Sequence, residues 1–240
     1  MAGQSGSDWL FGKDRIQMSD SYVISNITKR YSRKQVLSEI SMECRAGECV
    51  GIVGTNGIGN STLLRVMAGV EKPDHGDLLC LGHNLLRERG AFARLIAYVP
   101  QENPLLGELT ARDNLKLWSG RRMSGWEKEI RMLKLDEIID LRVSAMSGGM
   151  KRRLAIACAL TGGSPVLIMD EPTAALDLYH KGIIFDYLRS YLDNGGMVIF
   201  STHDMEEMRF ADHLCILHDG RISETSVEDA VDRIRSGAVS

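Results

Sequence analysis

The stretch Gly54-Thr55-Asn56-Gly57-Ile58-Gly59-Asn60-Ser61-Thr62 decides the fold of this chain. The apolar run before it, Cys49–Val53, is typical of a buried strand, and the segment after it, Leu63–Ala68, predicts a helix. Glycines let the backbone curl so that successive N–H groups point into one concavity, and the helix N-terminus adds partial positive charge there. The order of strand, glycine-rich turn and helix therefore predicts a P-loop, a backbone cradle for nucleotide phosphates.

One position departs from the P-loop pattern. The pattern has a lysine directly before Ser-Thr, and this sequence has Asn60. An amide cannot supply the positive charge that the lysine places on the β- and γ-phosphates, whereas the Ser61 hydroxyl can still bind the Mg²⁺ that bridges them. Three interpretations of Asn60 are open: an engineered or accidental change in an active enzyme, a natural variant whose activity is supported elsewhere, or a degenerate subunit that binds nucleotide and leaves hydrolysis to a partner.

The composition bounds the class of protein. The 240 residues are 44% apolar and 25% charged, as in an ordinary soluble globular protein. The formal net charge of -3 argues against a surface that coats nucleic acid, and no apolar run reaches the ~20 residues that span a bilayer. The five cysteines are scattered without a C-x-x-C pair, which indicates reduced core residues. We therefore expect no nucleic-acid partner and no direct membrane insertion.

Strand and helix signals alternate along the chain, which predicts an α/β fold with a parallel sheet. Residues 1–20 are polar and lack periodicity, so they are predicted to be an N-terminal tail or leader, with the folded domain over 21–240. Within that domain, residues at about 104–148 have a helical pattern, and Thr110 is expected to cap the first helix. The segment Thr28–Tyr31 is interpreted as a basic turn. A second helix is marked by apolar residues at helical spacing: Trp126, Ile130, Leu133 and Leu135.

Acidic and polar residues follow the predicted strands. The continuous apolar run Val166–Asp170 ends in an acid, as expected of a strand buried on both faces. Because α/β sheets bind ligands at the carboxyl ends of their strands, Asp170 is a candidate Mg²⁺ ligand, and Glu171 is a candidate to accept a proton from an attacking water or to orient it. Gln101 follows another strand, where its amide can reach Mg²⁺ and sense the γ-phosphate. His203 follows a third strand and can contact the γ-phosphate.

A second glycine-rich helix start, Ser147-Gly148-Gly149, has no strand before it. Its N-terminus is also predicted to bind an anion, and Lys151-Arg152-Arg153 is expected to add positive charge nearby. Two phosphate-binding helix starts in one chain suggest that two molecules share a nucleotide.

Taken in this order, the motifs resemble those of the nucleotide-binding subunits of ABC (ATP-binding cassette) transporters, over about residues 21–226. The resemblance implies an ABC ATP-binding domain: a P-loop NTPase with a RecA-like parallel sheet, an N-terminal antiparallel β layer and an inserted helical subdomain. It also implies a head-to-tail homodimer or heterodimer, in which the P-loop of one subunit faces Ser147-Gly148-Gly149 of the other across ATP and Mg²⁺. Tyr31 falls where the family stacks an aromatic ring on adenine, and Asp177 lies in the loop that touches the opposite site.

The site residues predicted on these grounds fall into three groups. The nucleotide-binding group is Tyr31, Gly54, Thr55, Asn56, Gly57, Ile58, Gly59, Asn60, Ser61, Thr62, Ser147, Gly148 and Gly149. The catalytic group is Glu171, His203 and Gln101. The Mg²⁺ ligands are Ser61, Gln101 and Asp170.

The resemblance implies that ATP hydrolysis drives separate transmembrane permease subunits, through which the protein is held peripherally on the cytoplasmic, inner face of the cell membrane. The short segment between Gln101 and Ser147, and the signature Met-Ser-Gly-Gly-Met-Lys-Arg-Arg, are similar to those of ABC-2-type exporters. The first alternative is a non-hydrolysing regulatory subunit of a heterodimeric complex. The second alternative is a soluble ABC protein of translation or DNA repair. The translation type resembles two cassettes in tandem and the repair type resembles a cassette split by a long coiled coil, whereas this chain has one uninterrupted cassette.

Overall fold

The computed structural model describes residues 20–236, except 33, 89 and 120–125, so nearly all of the predicted tail or leader lies outside the described residues. The strands are β1 Ser21–Tyr31, β2 Lys34–Arg45, β3 Cys49–Val53, β4 His75–Cys80, β5 His83–Asn84, β6 Ile96–Val99, β7 Val166–Asp170, β8 Met197–Ser201, β9 His213–His218 and β10 Arg221–Glu224. The helices are α1 Asn60–Met67, α2 Ala91–Leu95, α3 Ala111–Ser119, α4 Glu127–Met132, α5 Gly148–Leu160, α6 Leu178–Asp193, α7 Met205–Phe210 and α8 Val227–Ser236. Short 3₁₀ turns cover Asp136–Ile138 and Val143–Ala145.

The strands form two sheets. The first has the order β2-β1-β4-β5 and its neighbours pair antiparallel. The second has the order β10-β9-β3-β8-β7-β6, in which β9 to β6 run parallel and β10 pairs antiparallel to β9. This arrangement confirms the predicted α/β fold with a parallel sheet and an N-terminal antiparallel layer. Within the described ranges, no helix combines the length and the apolarity needed to cross a bilayer.

Strand β7, which lies between β8 and β6, is buried on both faces, as its apolar run predicts. Val166 and Ile168 face a core shared with the antiparallel sheet and α1, whereas Leu167 and Met169 face a second core shared with α5 and α6. Because successive side chains of a strand point to opposite faces, one unbroken apolar run serves both cores. The acid that ends the run, Asp170, is thereby held at a fixed edge of the sheet.

The P-loop connects β3 to α1. Its glycines at 57 and 59 have φ angles of +80° and +129°, in the region that favours glycine. A Cβ on Gly59 would also lie 2.8 Å from Cγ1 of Val36, so only glycine fits there. No side chain caps the N-terminus of α1 within the described part of the chain. The first N–H groups of this helix therefore remain available to a ligand.

Two local predictions were wrong. Residues Thr28–Tyr31 belong to the end of β1, where Tyr31 pairs with Lys34 of β2, because antiparallel pairing satisfies their backbone groups. Helix α4 ends at Met132, so Leu133 and Leu135 are buried beyond it, next to a left-handed residue, Lys134, with φ of 47°. The predicted cap of α3 is present, since Oγ1 of Thr110 accepts a hydrogen bond of 3.1 Å from the backbone N–H of Asp113.

Candidate active site

A cleft of about 1050 Å³ lies at the carboxyl ends of the parallel strands, beside the N-terminus of α1. Three residues of the second glycine-rich helix start, Ser147, Gly148 and Gly149, are described but do not line it, and neither do Gly54 and Ile58 of the P-loop. The cleft therefore unites the predicted catalytic and metal-binding residues with most of the P-loop. The lining residues are Tyr31, Val36, Thr55, Asn56, Gly57, Gly59, Asn60, Ser61, Thr62, Gln101, Asp170, Glu171, Ser201, His203 and Ile234.

The register of the sheet explains why distant residues meet here. Asp170, the last residue of β7, pairs with Ser201, the last residue of β8, and β6 ends alongside β7. The residues that follow these strand ends, among them Gln101, Glu171 and His203, are consequently delivered to one edge of the sheet.

The Glu171 carboxylate is held between an amide and an imidazole. Nε2 of Gln101 donates to Oε2 of Glu171 at 3.2 Å, and Nε2 of His203 lies 3.7 Å from Oε1. The backbone N–H of Glu171 is anchored on the last residue of β8, Ser201, at 3.2 Å from its carbonyl oxygen. A carboxylate oriented in this way can accept a proton from a water molecule in the cleft.

Asp170 is 5% exposed, and its Oδ1 accepts a hydrogen bond of 2.5 Å from Oγ of Ser201. This role of Ser201 is not evident from the sequence, because the parallel pairing of β7 and β8 creates it. The Ser61 hydroxyl, the Asp170 carboxylate and the Gln101 amide offer the oxygen ligands that Mg²⁺ prefers. Among the described residues, no cluster of three or more His, Cys, Asp or Glu side chains could hold a metal alone. These residues therefore fit a Mg²⁺ ion that is also bound by phosphate oxygens.

The position of the missing lysine is neutral and buried. Asn60 is 8% exposed, its Nδ2 donates to the Gly54 carbonyl at 3.4 Å, and its Oδ1 has no partner among the described residues. No lysine or arginine occurs among the described residues that line the cleft. The carboxylates of Asp170 and Glu171 also line it, so the fixed positive potential for phosphates comes from the loop amides and the α1 dipole.

The cleft also offers an aromatic ring and apolar side chains to a base. Tyr31, which is 41% exposed, lines it together with Val36 and Ile234. Its hydroxyl donates to Glu71, which also accepts a hydrogen bond of 2.5 Å from Nε of Arg65. The place of Ile234 in the cleft is not evident from the sequence, because its helix α8 lies far from the motifs along the chain.

The second glycine-rich helix start is capped by its own serine. Oγ of Ser147 accepts a hydrogen bond of 3.2 Å from the backbone N–H of Met150. Of the three basic residues predicted to add positive charge near this helix tip, two lie inside the protein. Arg152 and Arg153 are 4% and 1% exposed, and their guanidinium groups donate to backbone carbonyls. They lie on the faces of α5 that pack against the sheet and the neighbouring helices, which buries them.

Glycine is the residue that fits at position 149, because the His180 ring lies where a Cβ would be. A Cβ on Gly149 would lie 2.2 Å from Cδ2 of His180, and Nδ1 of that ring is fixed on Oδ1 of Asp177 at 2.8 Å. We expect Gly149→Ala to lower the free energy of unfolding by about 1–3 kcal/mol through overpacking. Urea denaturation of the protein without nucleotide measures this.

Gly148→Ala is the matched control, because a Cβ there would meet no atom of the described residues within 4 Å. It should be neutral or stabilising by up to about 1 kcal/mol, since alanine favours a helix more than glycine does. In a His180→Ala background, which removes the ring, Gly149→Ala should likewise be neutral or slightly stabilising. Equal destabilisation by Gly149→Ala with and without the ring would contradict the steric explanation.

Glu207 on α7 is a buried acid that holds the loop after Glu171. Its Oε1 accepts hydrogen bonds from Thr173, at 2.7 Å from the backbone N–H and 2.6 Å from Oγ1. Burial raises the pKa of Glu207 above the usual 4.5, and Asp204 adds to the rise, although hydrogen bonds from Thr173 and Thr202 oppose it. The folded state therefore binds this proton more tightly than the unfolded state does.

This difference predicts a dependence of stability on pH. The contribution of the Glu207 proton is fully present below pH 4.5 and is lost as the pH rises through the raised folded pKa. We expect the stability of the unaltered protein relative to Glu207→Gln to fall over that interval, by about 1.4 kcal/mol for each unit of pKa shift. Urea denaturation from pH 4.5 upward measures it, with the exposed Glu108→Gln as control. A flat difference would contradict the expectation.

The fold and the cleft together define a P-loop nucleotide-binding protein, and comparisons with known proteins refine this class. An ABC transporter family model matches residues 37–174. The chain is 38% identical over 219 residues to Nod factor export ATP-binding protein I of Rhizobium etli, covering 88% of this chain and 69% of that protein. It is 41% identical over 208 residues to the protein of the same name from Rhizobium meliloti, covering 82% and 62%.

Solved structures agree. An ATP-binding subunit of an ABC transporter matches with a TM-score of 0.78 and 26% identity, over 91% of this chain and 94% of that one. A dimeric ATP-binding cassette in a post-hydrolysis state bound to ADP and Pi matches with a TM-score of 0.77 and 27% identity, over 86% and 98%. The chain belongs to the ABC transporter family, as an ATP-binding subunit. It spans 69% and 62% of the length of the two rhizobial relatives.

Proposed function

We propose that this subunit binds and hydrolyses Mg·ATP and thereby drives separate transmembrane permease subunits. The observation that carries the proposal is the convergence of the P-loop with Gln101, Asp170, Glu171 and His203 in one cleft. Membership of the ABC transporter family supports ATP as the nucleotide. The rhizobial relatives are named as export proteins, which, with the ABC-2-type signature, supports an exporter.

Six residues of the cleft have a specific part in this proposal. Three side chains would hold Mg²⁺: Ser61, Gln101 and Asp170. When bound, the ion would neutralise charge on the phosphates. Glu171 accepts a proton from the attacking water, and Gln101 and His203, which flank its carboxylate, orient that water. Tyr31 offers its ring to the adenine.

The working unit in this proposal is a head-to-tail dimer, of two copies or of one copy with a close relative. The helix start Ser147-Gly148-Gly149 does not line the cleft of its own chain, as expected if it completes the cleft of a partner. Asp177, which caps α6 beside Gly149, would lie at the same interface. The dimeric cassette with ADP and Pi supports such an assembly. The permease would hold this dimer on the cytoplasmic face of the membrane.

Asn60 is proposed to slow hydrolysis, because no cationic side chain among the described lining residues replaces the lysine. The same observation favours a second candidate function, a regulatory subunit that binds nucleotide without hydrolysing it in a heterodimer. The retained Gln101, Asp170, Glu171 and His203 favour slow hydrolysis, since drift in a degenerate site would be expected to reach them.

Two measurements test the proposal. Titration of the purified chain with Mg·ATP should show saturable binding, and a phosphate-release assay should show slow turnover that Asn60→Lys increases strongly. Binding without turnover in either protein would select the regulatory function instead. Absence of affinity for any nucleoside triphosphate, even with the lysine restored, would overturn both. Co-purification with a multi-span membrane protein encoded beside this gene would test the permease partner.

A further inference from the structure

The arginine at position 152 lies inside the protein, one turn beyond the tip of α5. It is 4% exposed, and burial lowers the pKa of its guanidinium group to about 10, so the group stays charged at neutral pH. It donates to the carbonyl oxygens of Asp170 at 2.6 Å, of Glu171 at 3.0 Å and of Pro172 at 3.0 Å. One side chain of α5 therefore binds three consecutive peptide groups around the candidate general base.

The same guanidinium group reaches a second segment of the cleft. Its Nη1 donates to the Pro100 carbonyl at 2.5 Å and lies 3.4 Å from Oδ1 of Asn103. These two residues flank Gln101, whose amide contacts Glu171. Arg152 thus holds the backbone on both sides of the Gln101–Glu171 hydrogen bond.

The backbone of Glu171 needs such support. Its φ of 48° is left-handed, a conformation that a residue with a side chain adopts rarely and keeps only where its surroundings determine it. The carbonyls on either side of that φ angle, of Asp170 and Glu171, both accept from Nη2 of Arg152. The backbone N–H between them donates to Ser201. Arg152 and β8 together fix the strained residue from two directions.

We propose that Arg152 is a positioning residue that ties the Ser147-Gly148-Gly149 end of α5 to Glu171 and Gln101 of the same chain. A displacement of this helix tip, such as a partner's nucleotide would cause, then moves the carboxylate of the chain's own cleft. This coupling between the two nucleotide sites rests on the proposed function, whereas the attachment itself is a property of the single chain.

Arg153 provides a matched comparison on the same helix. It is 1% exposed, and its Nη1 donates to the carbonyls of Leu133 at 2.7 Å and Lys134 at 3.0 Å, at the end of α4. Both arginines are buried and both satisfy backbone carbonyls. Only Arg152 touches the segments of the cleft, so the two positions separate positioning from general stabilisation.

Hydrogen exchange of the protein without nucleotide tests the attachment directly. We expect Arg152→Lys to accelerate amide exchange in segments 101–103 and 171–174 at least tenfold, because a lysine ammonium cannot serve five acceptors. Arg153→Lys should accelerate exchange in segment 133–135 and leave 171–174 within threefold. The amides of β3 report global unfolding and should not change in either variant. Acceleration that is uniform along the chain, or absent at 171–174 in Arg152→Lys, would overturn the proposal.

Kinetics test the consequence for the reaction, in the Asn60→Lys background where turnover is expected to be measurable. Arg152→Lys should lower kcat at least tenfold with the Kd for Mg·ATP within twofold, and Arg153→Lys should lower kcat less than threefold. In a Glu171→Gln background, single-turnover rates should show no further loss from Arg152→Lys, because Arg152 acts through that carboxylate. Additive losses, or an unchanged kcat, would overturn the positioning role. A chain that binds no ATP would refute the proposed function, and hydrogen exchange alone would then decide the attachment.

Discussion

Replacing Asn60 with lysine is expected to raise the rate of ATP hydrolysis by about 10²- to 10³-fold. The cleft has no cationic side chain among its described lining residues, and a charge pair at ~4 Å with an effective dielectric of ~20 is worth about 4 kcal/mol. About two thirds or more of this interaction is expected to be specific to the transition state, where charge moves on the phosphates. Phosphate release at saturating Mg·ATP measures the gain, and the affinity for Mg·ATP should also rise.

Asn60→Gln separates the effect of side-chain charge on the rate from the effect of side-chain length. It lengthens the side chain and keeps it neutral, so its rate should rise less than tenfold over that of the unaltered protein. If Gln and Lys gave equal gains, the electrostatic explanation would be wrong and side-chain length would decide the rate. If neither variant hydrolysed ATP while both bound it, the protein would be a regulatory subunit.

Replacing Glu171 with glutamine in the Asn60→Lys protein is expected to lower kcat by about 10²- to 10⁴-fold. The amide cannot accept a proton from water at neutral pH, yet it has the shape of the carboxylate and can still contact Gln101, which lies 3.2 Å away. The Kd for Mg·ATP should therefore change little. Single-turnover hydrolysis and equilibrium titration, run on the same preparation, separate the two effects.

Glu108→Gln is the matched control for charge, because Glu108 is an exposed carboxylate that does not line the cleft. Its kcat should stay within twofold of the Asn60→Lys parent. A Glu171→Gln variant that retained more than a tenth of that kcat would show that Glu171 is not the base. The proton would then be accepted by another group or by the phosphate itself.

Local patterns in the sequence were sufficient for the parallel sheet and for much of the polar lining of the cleft. The P-loop glycines, the apolar run Val166–Asp170 and the polar residues after the strands each report a constraint that neighbours in the chain impose. The order of strands and helices then places the strand ends together, whatever the details of the loops. This is why the α/β class and the parallel sheet were predicted correctly.

Such local patterns do not predict the contacts of long side chains. Lys151-Arg152-Arg153 has the composition of an exposed basic patch, and only the packing of α5 shows that two of the three are buried and bound to carbonyls. The left-handed backbone of Glu171 and the ring of His180 over Gly149 also depend on tertiary contacts. Tyr31 was placed in a turn because a strand end and a basic turn have similar compositions.

The strand β7 has one more consequence. Alternate residues of β7 belong to the core of the antiparallel layer and to the core beneath α5 and α6. If either the antiparallel layer or the helices α5 and α6 unfolded alone, one face of β7 would be exposed to water. The two halves should consequently melt in a single cooperative transition, and Asp170 at the end of β7 should lose its order in that same transition.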